Sequence, residues 1–300
     1  ARIAHTFDLR GPAFTLDSAC SGSLVALHQA CLAMSAGDCE AALIGGVNLN
    51  LTPLVHTMFE RAGALSPTGV LLPFRGDGTL PADGAAIFVL EPLERAIARG
   101  HPVWAIIEGT AINNCGRTIG VMTPGPEGQV AVMRSALEAA DIASSSVARI
   151  EAHATGTEIG DAVELRSIAA VYPHGPLTTT VKAIVGHALG ASGSASLLAV
   201  IGALKPGERA GVNGFGFGGT NAHVIVRGGE VPPIERARFS EPSAGRVHHI
   251  GVVAPDVDGW LHAVGEDGAL TPVLGSGADR LLRKGRYVIT GASGGIGGVL

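Results

Sequence analysis

A cysteine set among small residues is the first reactive feature of this sequence: Asp17-Ser18-Ala19-Cys20-Ser21-Gly22-Ser23-Leu24. An apolar run follows, with Leu24, Leu27, Cys31 and Met34 at helical spacing and Gly37 as a stop. A thiol just ahead of a helix faces free backbone N–H groups and the positive end of the helix dipole, which favour a thiolate of lowered pKa. Cys20 is therefore a candidate nucleophile, and its own N–H can serve an oxyanion. The competing reading is a small buried side chain. That second reading is assigned to Cys31, Cys39 and Cys115, which lack a helix-start setting.

Two histidines sit in glycine-rich turns. Glu151-Ala152-His153-Ala154-Thr155-Gly156-Thr157 reads as a strand running into a Thr/Gly turn. Lys182-Ala183-Ile184-Val185-Gly186-His187-Ala188-Leu189-Gly190 reads as a second strand ending in Gly-His. Strand ends are where α/β sheets present reactive side chains. Neutral imidazoles placed there can donate hydrogen bonds to a developing enolate. His5, His28, His56, His101, His174, His223, His248, His249 and His262 are assigned structural roles, with His28 on the surface. The adjacent pair at 248–249 lacks a nearby third ligand, so no metal site is expected.

A glycine loop, Asn213-Gly214-Phe215-Gly216-Phe217-Gly218-Gly219-Thr220-Asn221-Ala222-His223, precedes a strand at 224–226. It is neither a P-loop nor a strand–turn–helix dinucleotide motif. Its glycines let the backbone approach a ligand and aim an N–H at an oxyanion. Phe217 is a candidate lid on an acyl pocket. Read alone, the segment is a tight hairpin turn.

The elements that must position these residues alternate. Strands are expected at 41–44, 85–90, 105–108 and 148–152. Helices are expected from Leu24, around Val130, Met133, Leu137 and Ala140, and over 194–204. Alternation of this kind predicts an α/β fold with a substantial sheet. Near Arg227 the pattern lapses into a Pro-, Glu- and Arg-rich stretch, read as a linker, with one more strand expected at 247–254.

Composition bounds the function. The 300 residues are 46% hydrophobic and 16% charged, which excludes an intrinsically disordered chain. Net charge is −5 with no basic stripe, so nucleic acid is not an expected partner. No apolar run reaches the ~18 residues of a membrane span. Four cysteines without a CxxC pair point to a reducing, cytoplasmic setting.

Taken together and in order, DSACSGSL (17–24), EAHATGT (151–157), the Lys182…Gly186-His187 motif and GFGFGGTNAHV (214–224) resemble the β-ketoacyl synthase family. The resemblance is strongest to ketosynthase domains of modular polyketide synthases. FDLRGP (7–12), PFRGDGTLPADGAAIFVLEPLERA (73–96) and AINNCGRTIGVMTPGPEGQ (111–129) extend it over about residues 1–227. It implies an incomplete thiolase-like five-layer αβαβα fold, because the family's domain begins well upstream of FDLRGP. It also implies that Cys20 carries the acyl chain, and that His153 and His187 assist malonyl decarboxylation. Lys182 and Glu164 would support them. The N–H groups of Cys20 and Phe217, the latter flanked by Gly216 and Gly218, would form the oxyanion hole.

The implied reaction is a decarboxylative Claisen condensation fed by an acyl carrier protein, without metal or redox cofactor, in a homodimer. A fatty-acid synthase, a non-elongating transferase and an inactive fragment are the alternatives. Ala162, Ala183, Val185 and Cys115 depart from the family pattern, and the stretch between Leu204 and Gly211 is shorter than usual.

A second resemblance lies at 286–300. Tyr287-Val288-Ile289-Thr290-Gly291-Ala292-Ser293-Gly294-Gly295-Ile296-Gly297 is similar to the TGxxxGxG turn of short-chain dehydrogenases/reductases. It implies the start of a ketoreductase Rossmann domain after a linker at 228–285. Gly291, Gly295 and Gly297 would then lie against NADPH, provided that a complete domain followed. With no acyltransferase sequence between the two regions, the extender unit is expected to be loaded by an acyltransferase acting in trans.

Overall fold

The computed structural model describes residues 2–230 and three further strands, 261–264, 270–273 and 287–293. The first part of the chain holds α1 (Arg2–Thr6), β1 (Ala13–Leu16), α2 (Gly22–Ser35), β2 (Ala41–Asn48), α3 (Leu54–Arg61), β3 (Gly84–Leu90) and α4 (Leu93–Arg99). The second holds β4 (Ala105–Asn114), α5 (Pro126–Ala139), β5 (Arg149–Glu151), α6 (Glu158–Val171), β6 (Leu177–Thr179), α7 (Lys182–Val185), α8 (Ser192–Ala203), β7 (Arg209–Phe215) and β8 (Thr220–Gly228). An antiparallel pair, β9 (Leu261–Val264) and β10 (Leu270–Val273), and a last strand, β11 (Tyr287–Ser293), complete the described elements.

Two mixed sheets result. One has the order β4-β8-β7-β5-β6, with β5 parallel to both β6 and β7 and the β7–β8 and β4–β8 pairs antiparallel. The other has the order β1-β11-β2-β3. In it β11 lies parallel to both neighbours, with Ile289 opposite Ala13 on one side and Leu43 on the other.

Helices α2 and α8 fill the space between the sheets. Leu24, Leu27 and Ala30 of α2 and Leu197 and Val200 of α8 share one core with Ala42 and Ile44 of β2 and with Val212, Ala222 and Val224 of β7 and β8. Both helices are apolar nearly all round, as a helix covered on both sides must be. Small residues let them meet closely. A methyl group on Gly193 would stand 2.5 Å from Leu24 Cγ, and Ser194 N donates to Ser23 Oγ at 2.9 Å.

On the far side of the five-stranded sheet, Met133 and Ala136 of α5 and Ile168 of α6 pack on Ile150 and Ile225. Strand alternation turns Ala41 and Leu43 to the opposite face of β2, where they meet Ala4 and Leu9 at α1. Sheet, helix, sheet and helix layers are therefore present. Beyond the four-stranded sheet, α1 supplies the outer cover over Ala41 and Leu43.

Most expected elements fall where the sequence pattern puts them. The exception nearest the chemistry is 182–185, expected as a strand and found as the single helical turn α7. Its cause is tertiary: the Glu151 carboxylate accepts from Val181 N at 2.6 Å and from Thr179 Oγ1 at 2.8 Å, turning the chain at the end of β6. His28, expected on the surface, is half-buried with its Nδ1 2.8 Å from Thr110 Oγ1. The short connection after Leu204 is closed by a turn in which Glu208 N donates to Lys205 O and the Glu208 carboxylate accepts from Lys205 N. The strand expected at 247–254 and most of the linker at 228–285 lie outside the described residues. Gly291 does not lie in a turn: it is a strand residue opposite Thr15 and Gly45. Gly295 and Gly297 lie outside the described residues.

Candidate active site

Strand β1 delivers the chain to Cys20 through a tight bend. Asp17 Oδ1 accepts from Ala19 N at 2.8 Å, and Ala19 takes a left-handed φ of 52°. Such a backbone is strained for an alanine and persists only where the surroundings hold it. Ser21 then stands at the start of α2 with its hydroxyl donating to Ser18 O at 2.8 Å, and Cys20 is held just outside the helix with 5% of its surface exposed.

Burial dominates the thiol. It pushes the Cys20 pKa up to about 11, against the pull of the Phe217 N–H, the Lys182 ammonium and its own N–H. The lowered pKa expected from the helix start is thus corrected. At neutral pH the sulfur holds its proton, because desolvation outweighs the dipole. A proton acceptor is accordingly close by, with His187 Nε2 3.2 Å from Cys20 Sγ.

His187 is positioned by its backbone. Gly186 adopts φ 76°, after which His187 N donates to Leu80 O and His187 O accepts from Ala82 N. A methyl group on Gly186 would lie 2.9 Å from Ala82 Cβ. The imidazole is 1% exposed, and burial followed by the Lys182 charge lowers its pKa to about 3. It is therefore neutral, and Nε2 is free to exchange a proton with sulfur.

His153 leaves β5 beside it, with ring centroids 5.4 Å apart and nearly perpendicular. Its own pKa is driven well below the ordinary value by burial and then by the charges of Lys182 and His187. The loop is clamped by one carboxylate: Glu164 accepts from His153 N at 2.7 Å and from Ala154 N at 2.6 Å. Asp161, one turn earlier on α6, accepts from Gly156 N and Phe74 N. Glu164 also takes a hydrogen bond from Asn213 Nδ2 at 2.8 Å.

Lys182 is 2% exposed, its Nζ makes no hydrogen bond among the described residues, and its charge interacts with Glu151, Glu164, Cys20 and Asp161. Burial lowers its pKa while these groups raise it. Asn213, Asp161 and Glu151 join the site without having stood out in the sequence. They carry no spacing signal, because their partners are backbone amides and carboxylates brought in by other elements.

The glycine loop is the β7–β8 turn. A methyl group on Gly216 would lie 2.4 Å from Ser18 O, so the turn rests directly on the Cys20 segment. Gly218 adopts φ 98°. The Phe217 N–H points at sulfur, while its ring is half-exposed and stacks on Phe59 at 6.0 Å.

The Cys20 Sγ and a ring nitrogen of each histidine lie within 4.8 Å of one another, a set that can ligate a soft cation. The buried Lys182 ammonium already acts on all three groups, so a cation there would meet a like charge.

A buried thiol, two neutral imidazoles and two backbone N–H groups around one sulfur are the parts of an acyl-transfer site. Comparison with known proteins identifies the family. Residues 1–96 match the beta-ketoacyl synthase N-terminal domain and residues 104–211 the C-terminal domain. The chain belongs to the β-ketoacyl synthases.

Its curated relatives include the polyketide synthase ThaG of Burkholderia thailandensis, 37% identical over 84% of this chain and 5% of that protein. Another is a component of the phenolphthiocerol/phthiocerol polyketide synthase of Mycobacterium tuberculosis, 36% identical over 91% of this chain and 17% of that protein. Among solved structures, the ketosynthase from module 6 of the bacillaene synthase of Bacillus subtilis 168 superposes with a TM-score of 0.73 at 31% identity. An oxazolomycin ketosynthase domain of Streptomyces albus JA3453 gives 0.73 at 34%. The β-ketoacyl synthase chain covers 76–77% of itself in these superpositions and 49% of each solved ketosynthase. Among its described residues no helix is long and apolar enough to cross a membrane.

Proposed function

We propose that this chain carries the reacting centre of an elongating polyketide ketosynthase, which joins a Cys20-bound acyl chain to a decarboxylated malonyl-type extender. The observation that carries the reading is the 3.2 Å approach of His187 Nε2 to Cys20 Sγ beside the ring of His153.

In the first half-reaction His187 Nε2 takes the thiol proton as sulfur attacks the carbonyl of a carrier-bound thioester. The tetrahedral oxygen is held by the N–H groups of Cys20 and Phe217. The carrier's thiolate leaves, takes up the proton, and an acyl-S-Cys20 bond remains.

In the second, a malonyl thioester binds and its carboxylate departs as CO2. The electron pair stays on the enolate, whose oxygen accepts hydrogen bonds from the two imidazoles. The enolate carbon attacks the acyl carbonyl, a C–C bond forms, and the C–S bond to Cys20 breaks. No metal or redox cofactor enters this scheme.

An acyl carrier protein bearing phosphopantetheine is the partner that this chemistry requires. A homodimeric parent, a trans-acting acyltransferase and a cytoplasmic setting complete the proposal. The segment 286–300 keeps the reductase-like sequence. NADPH binding would require a ketoreductase domain that continues past residue 300.

Intact-protein mass spectrometry after incubation with an acyl thioester tests the reading. An acyl adduct is expected on the wild-type chain and not on Cys20→Ala. Equal labelling of both would overturn it.

A further inference from the structure

Behind the site runs a buried hydrogen-bond chain that the condensation scheme leaves unused. The Tyr172 hydroxyl lies 2.9 Å from His223 Nε2, His223 Nδ1 lies 2.6 Å from Asn213 Oδ1, and Asn213 Nδ2 lies 2.8 Å from Glu164 Oε1. Tyr172, His223, Asn213 and Glu164 are each no more than 2% exposed.

The fold brings these four side chains together from the two strands of the β7–β8 hairpin and from α6 with the residue that follows it. Asn213 and His223 are cross-strand partners in the β7–β8 hairpin, so their side chains share a face. Glu164 lies on α6 and Tyr172 follows its last residue. Gly211, two residues before Asn213 on the same face, leaves room for the ring: a methyl group there would meet His223 Cε1 at 2.6 Å.

The proton direction follows from one end. A carboxylate only accepts, so the Asn213 amide turns its NH2 to Glu164 and its oxygen to His223. His223 Nδ1 must then carry the ring proton, and Nε2 must accept from the Tyr172 hydroxyl. Every donor in the chain points toward Glu164, the group that clamps the His153 and Ala154 amides.

We propose that Tyr172 and His223 are positioning residues of this ketosynthase: through Asn213 they hold the Glu164 carboxylate ionised and oriented, and so set the imidazole of His153. The inference rests on the proposed role of His153 and adds a polar support from outside the reacting centre. Ala154 needs such a support, since its φ of 34° is unfavourable for a non-glycine residue. Hydrogen bonds aligned in a dry interior strengthen one another. The charged or titratable groups facing Glu164 are Lys182 from α7 and His153 from the loop after β5.

The test uses the full chain with Tyr172→Phe, His223→Leu and His223→Gln. Nitrogen-15 spectra of histidine-labelled protein report the tautomer whether or not the enzyme turns over. The expected result is a neutral Nδ1–H form for His223 from pH 8 to pH 5, with its Nε2 signal displaced by Tyr172→Phe. An Nε2–H form would overturn the proposal.

Decarboxylation of a malonyl thioester and acylation of Cys20 supply the second readout. Tyr172→Phe is expected to slow decarboxylation up to about tenfold, the range of one lost hydrogen bond, and to move its acid limb to higher pH. Acylation, served by His187, stays within about twofold. The Gln variant, which keeps one donor and one acceptor, recovers more decarboxylation than Leu. Equal loss of both steps, or an unmoved acid limb, would reduce the chain to a packing role. A wild-type protein inactive in both steps would refute the proposed function and leave the tautomer to decide this inference.

Discussion

His187 Nε2 lies 3.2 Å from Cys20 Sγ, and both groups are uncharged at neutral pH. The pair is therefore a thiol facing a base rather than a preformed ion pair. With the Cys20 pKa raised to about 11, the thiolate fraction rises roughly tenfold per pH unit below that value. Alkylation of Cys20 by iodoacetamide should climb from pH 7 to pH 10 without levelling off. A plateau near pH 7 would mean a stabilised thiolate. Measuring the rate site by site, with Cys20→Ala as the control, decides this.

Acid should unfold the protein through its buried histidines. His187 and His223 are lowered to about 3, and His153 is also well below its ordinary range. The unfolded chain binds their protons near pH 6.5 and the folded chain does not. The stabilisation is thus complete above about pH 6.5 and is lost as pH falls toward 3, at up to about 1.4 kcal/mol per pH unit for each histidine. Asp161 and Glu164 have raised pKa values, so their folded forms take up protons first and offset part of the loss. Three histidines against two carboxylates leave a net loss of stability as pH falls from 6 to 5. Urea midpoints across that interval measure it.

Substituting the two glycines that flank Phe217 should separate space from conformation. Gly216→Ala drives a methyl group toward Ser18 O and Ser21 Oγ, so the turn must lift off the Cys20 segment and take the Phe217 N–H with it. Loss of one oxyanion donor predicts about a hundredfold slower acylation. At Gly218 a methyl group meets nothing, but φ of 98° is unfavourable for alanine. Gly218→Ala should destabilise the chain by about 1 kcal/mol and slow acylation less than Gly216→Ala. Single-turnover mass spectrometry ranks the two.

Glu164→Ala should be among the costliest single changes. It strands the buried amides of His153 and Ala154 and the Asn213 side chain, which all donate to this carboxylate. A loss of about 3 kcal/mol or more is expected in denaturant titration. A change below about 1 kcal/mol would show that the loop holds itself.

Phe217→Ala should leave stability nearly unchanged, since the ring is half-exposed and stacks only on Phe59 among the aromatic side chains of the described residues. Competition between short and long acyl thioesters is where a lid would act, and the ratio of adducts on Cys20 should shift.

Cys20, His153 and His187 were legible in the sequence because each stands in a local pattern: a small-residue helix start, or a Gly/Thr turn after an apolar run. The helix expected from Leu24 is α2, and Gly37 ends it at φ 78°. Asn213, Asp161 and Glu151 were not legible, because each works through partners that only tertiary folding supplies. The segment Lys182-Ala183-Ile184-Val185 misled for the same reason. Its β-branched residues suit a strand, yet a carboxylate from β5 turns the chain there. The thiol was misread in sign, since a helix start is visible in sequence while the 5% exposure that raises its pKa is not.

The strand β11 sits between β1 and β2, the two strands that lead into and out of the Cys20 helix. On the ribosome β1 and β2 emerge early, whereas Tyr287–Ser293 emerges more than two hundred residues later. Until then both strands present unpaired parallel edges, the kind that recruit strands from other chains. The five-stranded sheet, whose members all precede residue 229, can close first. Synthesis would then separate the two halves of the site in time: the strands that carry the histidine side can pair once β8 has emerged, and the strands on either side of the nucleophile gain their shared partner only when β11 follows.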